Sequence, residues 1–113
     1  MIELLLVIAA GLTLGIIAGI LPGLGTGGLL GLLFLVLIYL EPVHVLILFI
    51  CILTAAQYFG STIAILSGVP GDPASVPASR WGFELAKQGH GSQLLYATAK
   101  YSLISGVVAS VIA

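Results

Sequence analysis

Apolar residues in this chain fall in long runs, and the runs are interrupted by two clusters of glycine and proline. Ile2 to Leu21 is the first run, about 20 residues and close to 30 Å as a helix, which matches the hydrocarbon thickness of a bilayer. It is predicted to span a membrane alone. Gly11, Gly15 and Gly19 recur in it at every fourth position, the small-xxx-small spacing that lets a second helix approach closely. Leu29 to Leu40 is apolar for about 12 residues, ~18 Å, too short to cross comfortably. It either extends back through the preceding glycines or forms half of a re-entrant hairpin. Tyr39, Glu41 and Pro42 mark a membrane boundary, with Pro42 opening the next helix and His44 as an interfacial polar residue in its first turn. Val43 to Phe59 is the third apolar segment, and Ile63 to Leu66 a short separate piece. Between and around them stand Thr54, Gln57, Tyr58, Gly60, Ser61 and Thr62. Such polar groups in a lipid-buried helix face other helices or water.

From Ser67 to Ser92 the pattern changes to polar residues and breakers: Gly68, Pro70, Gly71, Pro73, Pro77, Gly82, Gly89 and Gly91. A short amphipathic helix is expected over Arg80 to Gln88, capped by Ser79, with Glu84 meeting Arg80 and Gln88 and with Gly89 as its stop. Trp81, Phe83 and Leu85 are placed to sit at the lipid interface. Ser92 is then expected to cap a last helix starting at Gln93. If that helix spans from Leu94, Lys100 lies about 9 Å in and can snorkel to the surface; if it starts after Lys100, about 20 Å remains to Ala113. No polar flank follows Ser110-Val111-Ile112-Ala113, so the chain reads as ending within or at the far end of a membrane helix. The N-terminal run has Glu3 and no Lys or Arg before it, and lacks a small-x-small cleavage site, so it reads as a membrane span rather than a signal peptide.

Composition fits this reading. Of 113 residues, 60% are hydrophobic and 6% charged, with a mean hydropathy of +1.29, whereas soluble domains carry roughly 25% charged residues. The fold class expected is therefore all-α: a single polytopic membrane domain over residues 1–113, with broken or re-entrant helices and Pro-Gly loops. The net charge of −1 leaves no basic stripe for nucleic acid. The cationic side chains Arg80, Lys87 and Lys100 bias the polar segment toward the cytoplasmic side. Cys51 is alone and reads as a small apolar residue.

No enzymatic template is present: there is no paired carboxylate set, no His/Cys cluster at ligand spacing and no P-loop. No catalysis, metal or cofactor is expected. What remains is the pair of breaks, Pro22-Gly23-Leu24-Gly25-Thr26-Gly27 and Pro70-Gly71-Asp72-Pro73-Ala74-Ser75. Broken membrane helices leave free N–H groups at half-helix N-termini, which attract carboxylates. Secondary transporters use that device near the bilayer midplane. Thr26, Ser61, Thr62 and Ser75 can add hydroxyl donors, although Ser and Thr in membrane helices often bond to their own helix. Asp72 would repel an anion unless protonated or paired with a cation, so it suits coupling to Na⁺ or H⁺, or a structural turn. The plainer alternative is that both breaks are interfacial turns.

At these residues the chain resembles the large membrane subunit of tripartite tricarboxylate transporters, the TctA type. The resemblance rests on Gly-x-x-Pro-Gly-Leu-Gly at Gly19 to Gly25, the approach Tyr58-Phe59-Gly60-Ser61 to Leu66, Pro70-Gly71-Asp72-Pro73-Ala74-Ser75, and Ala86-Lys87-Gln88-Gly89, in that order. It implies a multi-pass bacterial inner-membrane protein that takes citrate-like carboxylates from a periplasmic binding protein, works with a small membrane subunit, and is driven by an ion gradient. It also implies that the two Pro-Gly motifs line the substrate region. The chain departs from the common pattern at Gly68, where the family has Asn, and at Trp81-Gly82, where it has an Asp-Gly pair. Family members are several times longer and built of two related halves, so transport by this stretch requires self-association or a chain supplying the remainder. The competing reading is a non-transporting interaction protein, or truncated gene product, whose glycines only pack helices.

Overall fold

The structure is a computed structural model that describes all of residues 1–113, and it is helical with no strand. Helix α1 covers Ile2–Ile20, α2 Gly25–Leu37 and α3 Pro42–Ser67. A helical run from Pro73 to Ile112 follows. It opens with a 3₁₀ turn, Pro73–Ser75, widens to π-type turns at Ala78–Gly82 and Ala86–His90 on either side of α4, Phe83–Leu85, and continues as α5, Gly91–Ile112. Three of these helical stretches are long and apolar enough to cross a membrane: Ile2–Ile20, Pro42–Ser67 and Pro73–Ile112. The all-α membrane architecture expected from the hydrophobic runs is what the chain adopts.

The core is the α1–α3 seam, and small residues make it. Gly11, Gly15, Ala18 and Gly19 of α1 are buried against α3. A Cβ added at Gly15 would stand 2.7 Å from both the Ile52 carbonyl oxygen and the Ala55 Cβ, and one at Gly19 would stand 2.7 Å from the Ala56 carbonyl oxygen. Cys51 packs in the same seam, its Cβ 2.7 Å from where Gly11 would carry one. Ile52, with no exposed surface, fills the centre. The every-fourth-residue glycines are thus a helix-packing stripe.

The order of those contacts fixes the topology. Gly11 meets Leu48 and Cys51, Gly15 meets Ile52 and Ala55, and Gly19 meets Ala56 to Gly60, so both numbers rise together and α1 and α3 run in the same direction. Helix α2 must therefore carry the chain back. It does so in 13 residues, about 20 Å, and it extends back through the glycines as far as Gly25, the first of the two alternatives for this segment.

Two boundaries differ from expectation. The apolar segment read as ending at Phe59 and the short piece Ile63 to Leu66 are one helix, because α3 runs unbroken from Pro42, at its first turn, to Ser67. Its hydroxyls stay inside the helix: Ser61 Oγ donates to the Gln57 carbonyl (2.9 Å) and Thr62 Oγ1 to the Tyr58 carbonyl (3.0 Å). The helix expected from Arg80 instead begins at Pro73. Ser79 is buried inside it, donating to the Val76 carbonyl rather than capping. Glu84 does not meet Arg80; it pairs with Lys87 at 3.8 Å, and Lys87 Nζ lies 4.4 Å from the Phe83 ring centroid. The wide turns change which residues share a face, which is why α-helical spacing chose the wrong partner. Gly89 is the stop expected, with φ +92°, a conformation that costs other residues about 1–2 kcal/mol. The last helix starts at Gly91, without a side-chain cap from Ser92, and passes through Lys100 as one helix.

Candidate functional site

After α3 ends, the chain turns back alongside that helix. Gly68, in the left-handed region, takes the C-cap of α3, and by Gly71 the backbone has returned to the level of Gly60: a Cβ at Gly71 would stand 3.7 Å from the Gly19 carbonyl oxygen and 3.8 Å from the Gly60 Cα. From Pro73 the helical run climbs out again, so that Gly82 packs on Ile65, and the Phe83 ring would lie 2.7 Å from a Cβ at Gly68. Gly60 is seven residues before the end of α3, about 10 Å along its axis. The Pro70–Ser75 segment is therefore re-entrant, dipping about two helical turns below the end of α3.

The first break arrives at the same place. Helix α1 ends one residue beyond Gly19, and the turn Leu21–Leu24 leads to Gly25, whose added Cβ would stand 3.2 Å from Asp72 Oδ1 and 3.9 Å from the Gly71 carbonyl oxygen. Gly23 (φ +92°) and Gly25 (φ +53°) both hold left-handed conformations, which lets the chain reverse in four residues and bring the start of α2 against Asp72. The two Pro-Gly motifs, 48 residues apart in sequence, are thus neighbours in space.

Their helix ends differ. The N-terminus of α2 has no side-chain cap, so the N–H groups of its first three residues, Gly25 to Gly27, are left without an intrahelical partner and carry the positive end of the helix dipole. The second break is closed on itself. Asp72 N–H donates to Ser75 Oγ (3.2 Å), and Ser75 N–H and Oγ–H both donate to the Asp72 carbonyl (3.0 and 2.8 Å). Ser75 is 3% exposed, so its hydroxyl is a structural clip rather than an open donor. The Asp72 carboxylate has no cation within 4.0 Å, since the ion pairs of the chain are His44–Glu41 and Lys87–Glu84. It is half-buried and lies beside the free N–H end of α2.

The remaining residues singled out in the sequence are distributed unevenly. Leu24, Thr26 and Gly71 are half-buried at the junction, while Pro22, Gly23, Gly27, Pro70, Pro73 and Ala74 are exposed around it. Ser61 and Thr62 lie on the adjoining turn of α3, but their hydroxyl protons are committed to carbonyls one turn back. No group of three His, Cys, Asp or Glu residues is placed to hold a metal. Gly60 was missed as part of the junction. Its signal was its pairing with Gly19: two glycines on facing helices leave room for a third backbone, here Gly71.

Comparison with known proteins identifies the family. The sequence model of the tripartite tricarboxylate transporter TctA family matches residues 5–113. A curated relative from Agrobacterium vitis, described as an uncharacterized 52.8 kDa protein in the TAR-I ttuC' 3' region, is 35% identical over 102 residues, which is 90% of this chain and 20% of the relative. The chain thus spans about a fifth of that relative's length. No solved structure matches. Two Pro-Gly breaks brought together beside a membrane-helix seam, in a sequence matched almost end to end by the family, establish that this chain belongs to the TctA family of tripartite tricarboxylate transporters.

Proposed function

We propose that this chain forms part of the large membrane subunit of a bacterial tripartite secondary transporter, a multi-pass protein of the inner membrane that takes up tricarboxylates or related carboxylates in symport with an ion. The observation that carries the reading is the convergence of the two Pro-Gly motifs at the end of the α1–α3 seam, where the uncapped N-terminus of α2 faces the Asp72 carboxylate across Gly25. The free N–H groups supply what a carboxylate needs, and the site holds no arginine to do it otherwise. Asp72 contributes the opposite charge. A carboxylate ligand and Asp72 repel each other unless a cation or proton lies between them, so binding of the two is coupled. Asp72 is accordingly the coupling group, with Na⁺ or H⁺ as its partner, and a small membrane subunit and a periplasmic binding protein complete the system.

The test is uptake of labelled citrate, succinate and malate by cells expressing the full-length protein with its genomic neighbours. The reading expects Asp72→Asn to lower uptake at least tenfold and to abolish its dependence on the Na⁺ or pH gradient. Uptake by Asp72→Asn with unchanged rate and ion dependence contradicts it.

A further inference from the structure

A second polar feature lies on the other side of α3. Thr54, Gln57, Tyr58 and Ser61 face Thr98 and Ser102 of α5 across an open cleft of about 570 Å³, in which only two of the eight lining residues are hydrophobic. Its position along both helices is central. Thr54 and Gln57 lie at the middle of Pro42–Ser67, and Ser102 at the middle of Gly91–Ile112, which places the cleft near the midplane of any bilayer these helices cross.

The hydrogen bonds sort its polar groups into two sets. Thr54, Ser61 and Thr98 each donate to a carbonyl one turn back, at 2.8, 2.9 and 2.8 Å. The Gln57 amide, the Tyr58 hydroxyl and the Ser102 hydroxyl have no partner in the chain. An amide or hydroxyl left unpaired in hydrocarbon costs several kcal/mol, and three at one depth across one cleft are not tolerated facing lipid. Packing between these helices does not explain them either, since α5 leaves every residue from Ala99 onward exposed.

We propose that the α3–α5 cleft is a hydrated solute pocket at mid-membrane, in which Gln57, Tyr58 and Ser102 donate hydrogen bonds to the oxygens of a carboxylate. All three carry free donors, and no acidic side chain lines the cleft, so the lining favours a ligand rich in acceptors. This rests on the transport reading, and it adds to that reading a place where a solute resides apart from the Pro-Gly junction. The two are close in height, because Gly60 backs the junction while the next residue, Ser61, lines the cleft.

Single cysteines in the full-length protein in native membranes test it, because maleimides alkylate thiols in water far faster than thiols in lipid. Thr98→Cys and Ser102→Cys are expected to react with N-ethylmaleimide at least tenfold faster than Leu103→Cys and Val107→Cys, and saturating citrate or succinate, whichever the cells take up, is expected to slow the reaction at position 102. Gln57→Leu is expected to raise the KM for uptake at least fivefold with the protein still present in the membrane at normal level. Equal reaction at positions 102 and 103 overturns the proposal, whatever uptake does, because it means another helix fills the cleft. Fast reaction that no transported carboxylate slows overturns it too, while leaving the transport reading intact. Absence of carboxylate uptake by the unmodified protein is the separate result that removes the transport reading.

Discussion

At the scale of single residues the molecule is governed by where a Cβ fits. Gly15 and Gly19 stand so close to the α3 backbone that any side chain forces the seam apart. Gly15→Leu is therefore expected to destabilise the full-length protein by at least the 1–3 kcal/mol typical of overpacking, seen as a lower melting temperature in detergent. Gly31, with nothing within 4 Å of an added Cβ, is the internal control. Gly31→Ala is expected to leave the melting temperature unchanged or raise it slightly, since alanine is the better helix former by about 0.5–1 kcal/mol. The packing glycines were legible in the sequence because their spacing alone defines a face. The roles of Ser61, Thr62 and Ser75 were not, because a hydroxyl near a break looks the same in sequence whether it is free or bonded to its own helix. The structure shows them bonded.

At the scale of elements, the glycines after Pro22 and those around Pro70 do opposite things to their helices. Gly23 and Gly25 reverse the chain and leave α2 with an open N-terminus, whereas the Pro70–Ser75 break seals its own end with the Ser75 clip. Sequence spacing identified both breaks and the short length of α2. It could not tell open from sealed, which depends on which hydroxyl reaches which amide. It ended the apolar segment at Phe59, whereas Gly60 serves the contact with Gly71 and the helix continues through it. Gly89 is the hinge between the outgoing helical run and α5, and its φ of +92° is unavailable to alanine at low cost. Gly89→Ala is expected to destabilise the native packing of α5 by about 1–2 kcal/mol, read as faster protease cleavage between residues 85 and 95 in the full-length protein. Cleavage at the native rate there contradicts a hinge role.

At the scale of the whole molecule, the parallel run of α1 and α3 puts Met1 and the Tyr39–Glu41 turn on one side, and the Arg80–His90 segment on the other. Glu3 and Glu41 lie on the first side, Arg80 and Lys87 on the second. The positive-inside tendency predicts a cytoplasmic second side. In intact spheroplasts a cysteine replacing Tyr39, 90% exposed, is expected to react with a membrane-impermeant maleimide, and one replacing the exposed Gln88 to react only after lysis; the reverse pattern contradicts this orientation. In that frame the junction of the two breaks lies about two helical turns short of the end of α3, level with the end of α1. The claim on which the account depends is that the open end of α2 holds the carboxylate. Equilibrium binding of labelled citrate or succinate, whichever is transported, to purified full-length protein carrying Gly25→Val or Gly31→Val tests it most directly, because both variants add the same side chain and only the first places it at the junction. Binding is expected to be at least tenfold weaker for Gly25→Val and unchanged for Gly31→Val, at matched folded fraction. Binding by a folded Gly25→Val protein with native affinity would contradict it.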